Sequence, residues 1–151
     1  MIKIICLGKI KEDFYKKAIK EYEKRLSKYT KLEIIELEDI NDTSINYALT
    51  KEKEKIIHHI KPQDNLVILD IKGKQLTSEE FANFIDKETT YNSNITFLIG
   101  SSNGLDEEIK KSTNKKISFS NLTFPHQLFR VILLEQIYKS FKINNNEQYH
   151  K

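Results

Sequence analysis

The chain has 151 residues, enough for a domain that buries a substantial core. Hydrophobic residues make up 38% and charged residues 31%, which excludes a disordered, low-complexity chain. The net charge of +3 is mildly basic, so it permits a nucleic-acid partner without demanding one.

The lysines are spread along predicted helices and read mostly as solvated faces. Cys6 is the one cysteine, so no intramolecular disulfide can form, which suits a reducing cytosol. It sits in an apolar run with no cation beside it in sequence, and reads as a small core residue rather than a nucleophile. Met1 to Leu7 is apolar but too short for a membrane span, and no targeting segment is visible. A cytoplasmic protein is expected.

In chain order, Ile2 to Leu7 predicts a buried strand closed by Gly8. Phe14, Ala18, Tyr22, Leu26 and Tyr29 recur at helical spacing, with Asp13 as a candidate N-cap. Leu32 to Leu37 predicts a second strand. Ser44 is a candidate cap for a helix running to about Ile60, and Pro62 ends it. Leu66 to Leu69 predicts a third strand ending at Asp70, with Gly73 in the loop that follows. Thr77 and Glu80 form a capping box for a helix carrying Phe81, Phe84 and Ile85. Ile95 to Ile99 predicts a fourth strand opening into Gly100-Ser101-Ser102-Asn103-Gly104, and a short helix follows from Asp106. Ile117 to Phe119 predicts a fifth strand. Pro125 then precedes an apolar-faced helix from His126 to about Phe141, and a polar tail closes the chain. Strictly alternating strands and helices predict one α/β domain over residues 1–151, with a mainly parallel sheet flanked by helices. Ligands of such sheets bind at the carboxyl ends of strands, which directs attention to the loops after Leu69, Ile99 and Phe119.

Common catalytic patterns are missing: no P-loop, no dinucleotide fingerprint, no nucleophile elbow and no Cys/His metal spacing. His58 and His59 are adjacent, so on a helix they point about 100° apart and chelate poorly together. No metal is expected. Gly100 to Gly104 reads either as an ordinary strand-to-helix turn or as a loop whose backbone meets a ligand closely. Ser118 to His126 mixes polar groups with aromatics, and reads either as a helix start or as part of a site. Arg130 and Glu135 lie on an apolar helix, where a structural pairing competes with a catalytic role. The terminal Tyr149-His150-Lys151 either frays or binds RNA by stacking and phosphate contact.

Taken together these segments resemble the ribosomal large-subunit methyltransferase H family of the SPOUT superfamily, the pseudouridine N3 methyltransferases. The resemblance is carried by Leu69-Asp70-Ile71-Lys72-Gly73-Lys74, Phe97-Leu98-Ile99-Gly100 and Leu122-Thr123-Phe124-Pro125-His126-Gln127-Leu128. It continues through Arg130-Val131, Leu134-Glu135-Gln136-Ile137-Tyr138 and the final Tyr149-His150-Lys151, and so spans essentially the whole chain. It implies a deep trefoil knot in the C-terminal half, an exception to the rule against knots. It implies a homodimer and S-adenosylmethionine as cofactor. By position the cofactor loops contain Leu69, Asp70, Gly100, Ser101, Gly104, Phe119, Ser120, Asn121, Leu122, Thr123 and Phe124. The implied substrate is a pseudouridine in 23S rRNA within the assembled 70S ribosome. One departure stands out: the family's second glycine after the fourth strand is Ser101 here.

Methyl transfer to an imide N3 requires alignment of the acceptor and loss of its proton. His150 is the first candidate base and His126 the second. Arg130 and Lys151 are candidates for phosphate or anion contact, and Tyr149 for stacking on a base. A non-catalytic ribosome-binding factor of the same fold is the alternative, and Ser101 is the feature that favours it.

Overall fold

The structure is a computed structural model and describes residues 1–148; Tyr149, His150 and Lys151 lie outside the described residues. The strands are β1 (Ile2–Leu7), β2 (Leu32–Leu37), β3 (Leu66–Gln75), β4 (Ile95–Ile99) and β5 (Lys116–Ser118). They form a sheet in the order β2-β1-β4-β3-β5, with every pairing parallel. The helices are α1 (Asp13–Leu26), α2 (Ile45–Ile57), α3 (Ser78–Asn92), α4 (Glu107–Lys111) and α5 (His126–Asn144).

Alternation along the strands sends side chains to two cores. From β1, Ile2, Ile4 and Cys6 join Leu26 of α1, Phe81 and Ile85 of α3, and Leu133, Leu134 and Ile137 of α5. Ile5 and Leu7 point the other way, toward Ile56 of α2, Leu105 just before α4 and Ile109 within it. Both faces of the sheet are therefore covered, which is why the central strands read as unbroken apolar runs rather than alternating ones.

Local chemistry explains most element ends. Thr77 and Glu80 make the capping box, each side chain accepting from the other residue's backbone N–H. Ser44 caps α2 by accepting from Tyr47 N–H at 3.3 Å. Other ends differ from expectation. Asp13 does not cap α1; it lies inside the first turn, after Glu12. The N–H groups of Lys11 and Glu12 donate instead to Gln127 Oε1 on α5, at 2.8 and 3.2 Å. Phe14 is 63% exposed, because the stripe facing the core runs through Ile19, Tyr22 and Leu26. Helix α2 stops at Ile57, short of Ile60, and α5 extends to Asn144, past Phe141.

Gly73 is not in a loop after the third strand. β3 continues to Gln75 beyond an irregularity between Leu69 and Lys74, and both halves pair with β5. A Cβ on Gly73 would stand 2.6 Å from the Lys116 carbonyl carbon, so only glycine lets β5 pass that closely.

Candidate active site

The irregularity in β3 after Leu69 and the carboxyl ends of β4 and β5 open into one cleft of about 390 Å³. Leu69, Asp70 and Ile71 form one wall, Ile99 through Ser102 with Gly104 a second, and Ser118 through Ser120 with Leu122 through Phe124 a third. His126 and Phe129 close it from α5, and Lys110 from α4. The parallel pairing of the three strands places these segments side by side, although Leu69, Ile99 and Ser118 are 19 to 49 residues apart in the chain.

The β4–α4 loop is shaped by steric exclusion. A Cβ on Gly100 would lie 2.6 Å from the Gly104 carbonyl oxygen and 2.9 Å from Leu105 Cγ. Gly104 has φ +86, and its N–H donates to the Ser101 carbonyl at 2.9 Å, folding the loop back on itself. Ser101 does not present a free hydroxyl. It donates to Glu52 Oε1 at 2.8 Å and accepts from Asn103 N–H at 3.3 Å. Ser101 is therefore engaged by α2.

The β5–α5 loop holds its own shape. Ser118 donates to the Ser120 carbonyl, Ser120 Oγ accepts from Leu122 N–H, and Gln75 Nε2 donates to Asn121 Oδ1 at 2.8 Å. Asn121 is not among the residues that wall the cleft; its side chain is turned to β3. Phe119 and Phe124 both pack on Phe129, with ring centroids 5.3 and 6.4 Å apart, giving the cleft an aromatic side. Asp70 Oδ1 accepts from Lys72 N–H at 3.0 Å and fixes the turn after the first half of β3. Leu122 and Ile71, at the rim, are 74% and 47% exposed.

His126 is half-buried in this cleft. Burial, and then the Arg130 cation, hold its pKa below the ordinary imidazole value, with Asp39 opposing. Its ring is accordingly neutral near pH 7 and able to accept a proton.

Arg130 stands apart from these loops. It is 3% exposed, donates to Glu36 at 2.7 Å and to the Gly8 carbonyl, and does not wall the cleft. Gly8, at φ +103, brings its carbonyl to the guanidinium. With Gln127, Arg130 fixes the loop from Gly8 to Glu12. Glu135 does not pair with Arg130; it accepts from the Tyr22 hydroxyl of α1. Cys6 is fully buried, and burial pushes its thiol up to about 11. The expected Tyr149 and His150 lie outside the described residues. Among the described residues no cluster of His, Cys, Asp or Glu is placed to hold a metal ion, and no helix is long and apolar enough to cross a membrane.

Several cleft residues had no distinctive sequence signal. Lys110 is one lysine among many, and Phe129 reads as core. Glu52 carries only the weak hint of an acidic residue at an inward position of α2.

A parallel α/β sheet with a backbone-shaped cleft beside its strand ends defines a ligand-binding α/β protein, and comparison gives its class. The family described as "Predicted SPOUT methyltransferase" matches residues 1–150. The chain is 50% identical to the ribosomal RNA large subunit methyltransferase H of Caldicellulosiruptor saccharolyticus, covering all of both chains. It is 53% identical to the protein of the same name from Clostridium botulinum strain Kyoto, over 99% of each. The one from Caldicellulosiruptor bescii is 47% identical over the full length of both. The chain belongs to the ribosomal RNA large subunit methyltransferase H family of SPOUT methyltransferases.

Proposed function

We propose that this chain transfers a methyl group from S-adenosylmethionine to N3 of a pseudouridine in 23S rRNA, acting in the cytoplasm on the assembled 70S ribosome. The observation that carries this reading is the cleft at the irregularity of β3 and the ends of β4 and β5, where Gly100 leaves no room for a Cβ. Its character suits the cofactor. Apolar and aromatic surfaces (Leu69, Ile99, Phe119, Phe124) fit an adenosine, and the tightly turned backbone of Gly100 to Gly104 fits its polar edges. The matched relatives are named as ribosomal RNA methyltransferases, which supports the substrate class.

When bound, S-adenosylmethionine supplies an electrophilic sulfonium methyl. Leu69, Asp70, Gly100, Ser101, Gly104 and Phe119 through Phe124 would hold the cofactor, Asn121 by keeping its loop in shape. The chain's task is then to align the acceptor nitrogen and remove its proton. His126, neutral and at the cleft, is one base; His150, on the tail, is the other. Lys110 places a cation at the cleft, where it favours the imide anion. Arg130 acts by fixing the Gly8–Glu12 loop, and Tyr149 and Lys151 contact RNA. The loops of β3, β4 and β5 form the family's trefoil knot within a single domain over residues 1–151. A second copy of the chain completes a homodimer, and the exposed Leu122 and Ile71 at the cleft rim suit such a cover.

The test is titration with S-adenosylmethionine by calorimetry, followed by methyl transfer to ribosomes from a strain lacking the gene. Mass spectrometry of the RNA locates the methyl. Binding together with a new methyl on a large-subunit pseudouridine is expected. Ribosome binding without cofactor binding would return the chain to the binding-factor reading.

A further inference from the structure

Glu52 is a carboxylate 2% exposed, on the inner face of α2, and it has no salt-bridge partner among the described residues. Burying an ionised carboxylate is costly unless its oxygens are satisfied. Both are. Oε1 accepts from the Ser101 hydroxyl at 2.8 Å, and Oε2 from Ile40 N–H at 2.9 Å. One side chain thus ties the loop after β4 to the segment that leads into α2, across 49 residues of sequence. The next residue grips the same segment further on: Lys53 Nζ is 3.2 Å from Glu108 and 4.0 Å from Asp106 at the start of α4. Helix α2 therefore holds both ends of the stretch from Ser101 to Glu108. Glu52 itself does not wall the cleft, whereas Ser101 does.

We propose that Glu52 is a positioning residue for cofactor binding: through the Ser101 hydroxyl it fixes the backbone of Gly100 to Gly104 in its ligand-receiving shape. The inference rests on the cofactor reading above and adds a residue to it. A loop that must fold back over glycines has few side-chain contacts to choose one conformation. A hydrogen bond to a buried carboxylate supplies that choice, and binding then costs less ordering. Ser101 does not fill the cleft with a free hydroxyl, because its Oγ is committed to α2.

The experiment is calorimetric titration of the whole protein with S-adenosylmethionine, for wild type, Ser101→Ala, Glu52→Gln and the double variant. Urea unfolding confirms that each is folded. Ser101→Ala should weaken cofactor binding about tenfold, the worth of one hydrogen bond to a charged group. In steady-state assays the loss should fall on KM for the cofactor rather than on kcat. The double variant should bind no worse than the weaker single variant, because Glu52→Gln takes away the charged acceptor and Ser101→Ala the donor of one and the same link. Should Glu52→Gln fail to fold, Glu52→Asp takes its place in the cycle, because the shorter side chain cannot reach the Ser101 hydroxyl and Ile40 N–H together. A folded Ser101→Ala that binds within about twofold of wild type overturns the proposal, as does strict additivity in the double variant. Absence of binding by wild type would instead defeat the cofactor reading, and this inference with it; the wild-type titration separates the two failures.

Discussion

The loop from Gly8 to Glu12 and the loop from Gly100 to Gly104 both follow central strands, yet they are held by different forces. Arg130 and Gln127, reaching from α5, grip the first loop at the Gly8 carbonyl and at the N–H groups of Lys11 and Glu12. The second is closed by its own backbone, with no room for a Cβ at Gly100, and is gripped from outside at Ser101. A loop gripped by side chains from a remote helix takes its shape from groups outside itself, so its integrity depends on that helix staying docked. A loop built around missing side chains keeps its concave side open for a ligand. The difference predicts stability defects at the first loop and binding defects at the second.

The largest effect should come from Arg130→Ala. It strands Glu36 and the Gly8 carbonyl, and urea unfolding should show a loss of about 3 kcal/mol, at the low end for a broken buried pair because Glu36 is partly solvated. Lysine should not restore it, since one ammonium cannot serve both acceptors in fork geometry. Gly100→Ala should cost about 2 kcal/mol through the clash with Gly104, and should also abolish measurable cofactor binding by calorimetry. Equal cofactor affinity in the two variants would break the comparison.

Thr77→Ala, which breaks the capping box of α3, should lose about 1 kcal/mol in urea unfolding. A smaller effect belongs to His126. Its folded pKa is lowered, so the unfolded chain takes up a proton first as pH falls through the ordinary value of 6.5. Stability should therefore fall as pH drops below that value, and level off once the folded imidazole is also protonated. His126→Asn should flatten this part of the pH–stability curve while lowering methyl transfer. The smallest effect is at Cys6: with its thiol pushed up to about 11 and no exposure, it should resist iodoacetamide in the folded protein and react only on unfolding.

Much of this organisation was legible in the chain itself. The order of strands and helices, the capping box at Thr77 and Glu80, the Ser44 cap and the Gly100–Gly104 turn all follow from neighbours a few residues apart. Leu69, Ile99 and Phe119 were legible locally as strand ends too, although Leu69 ends only the first half of β3 and Phe119 lies just past β5. These are properties of local periodicity and turn chemistry, which act over one or two turns of chain. The strand order β2-β1-β4-β3-β5 was not legible, nor was the second half of β3 with Gly73 pressed against β5. The partners of the buried charges were hidden too. Arg130 meets Glu36 across 94 residues rather than Glu135 five residues along its own helix, and Ser101 meets Glu52 across 49. Spacing says that a buried charge needs a partner. Only the packing of helices onto a particular sheet decides which one comes within reach, because each such contact depends on every crossover between the two residues.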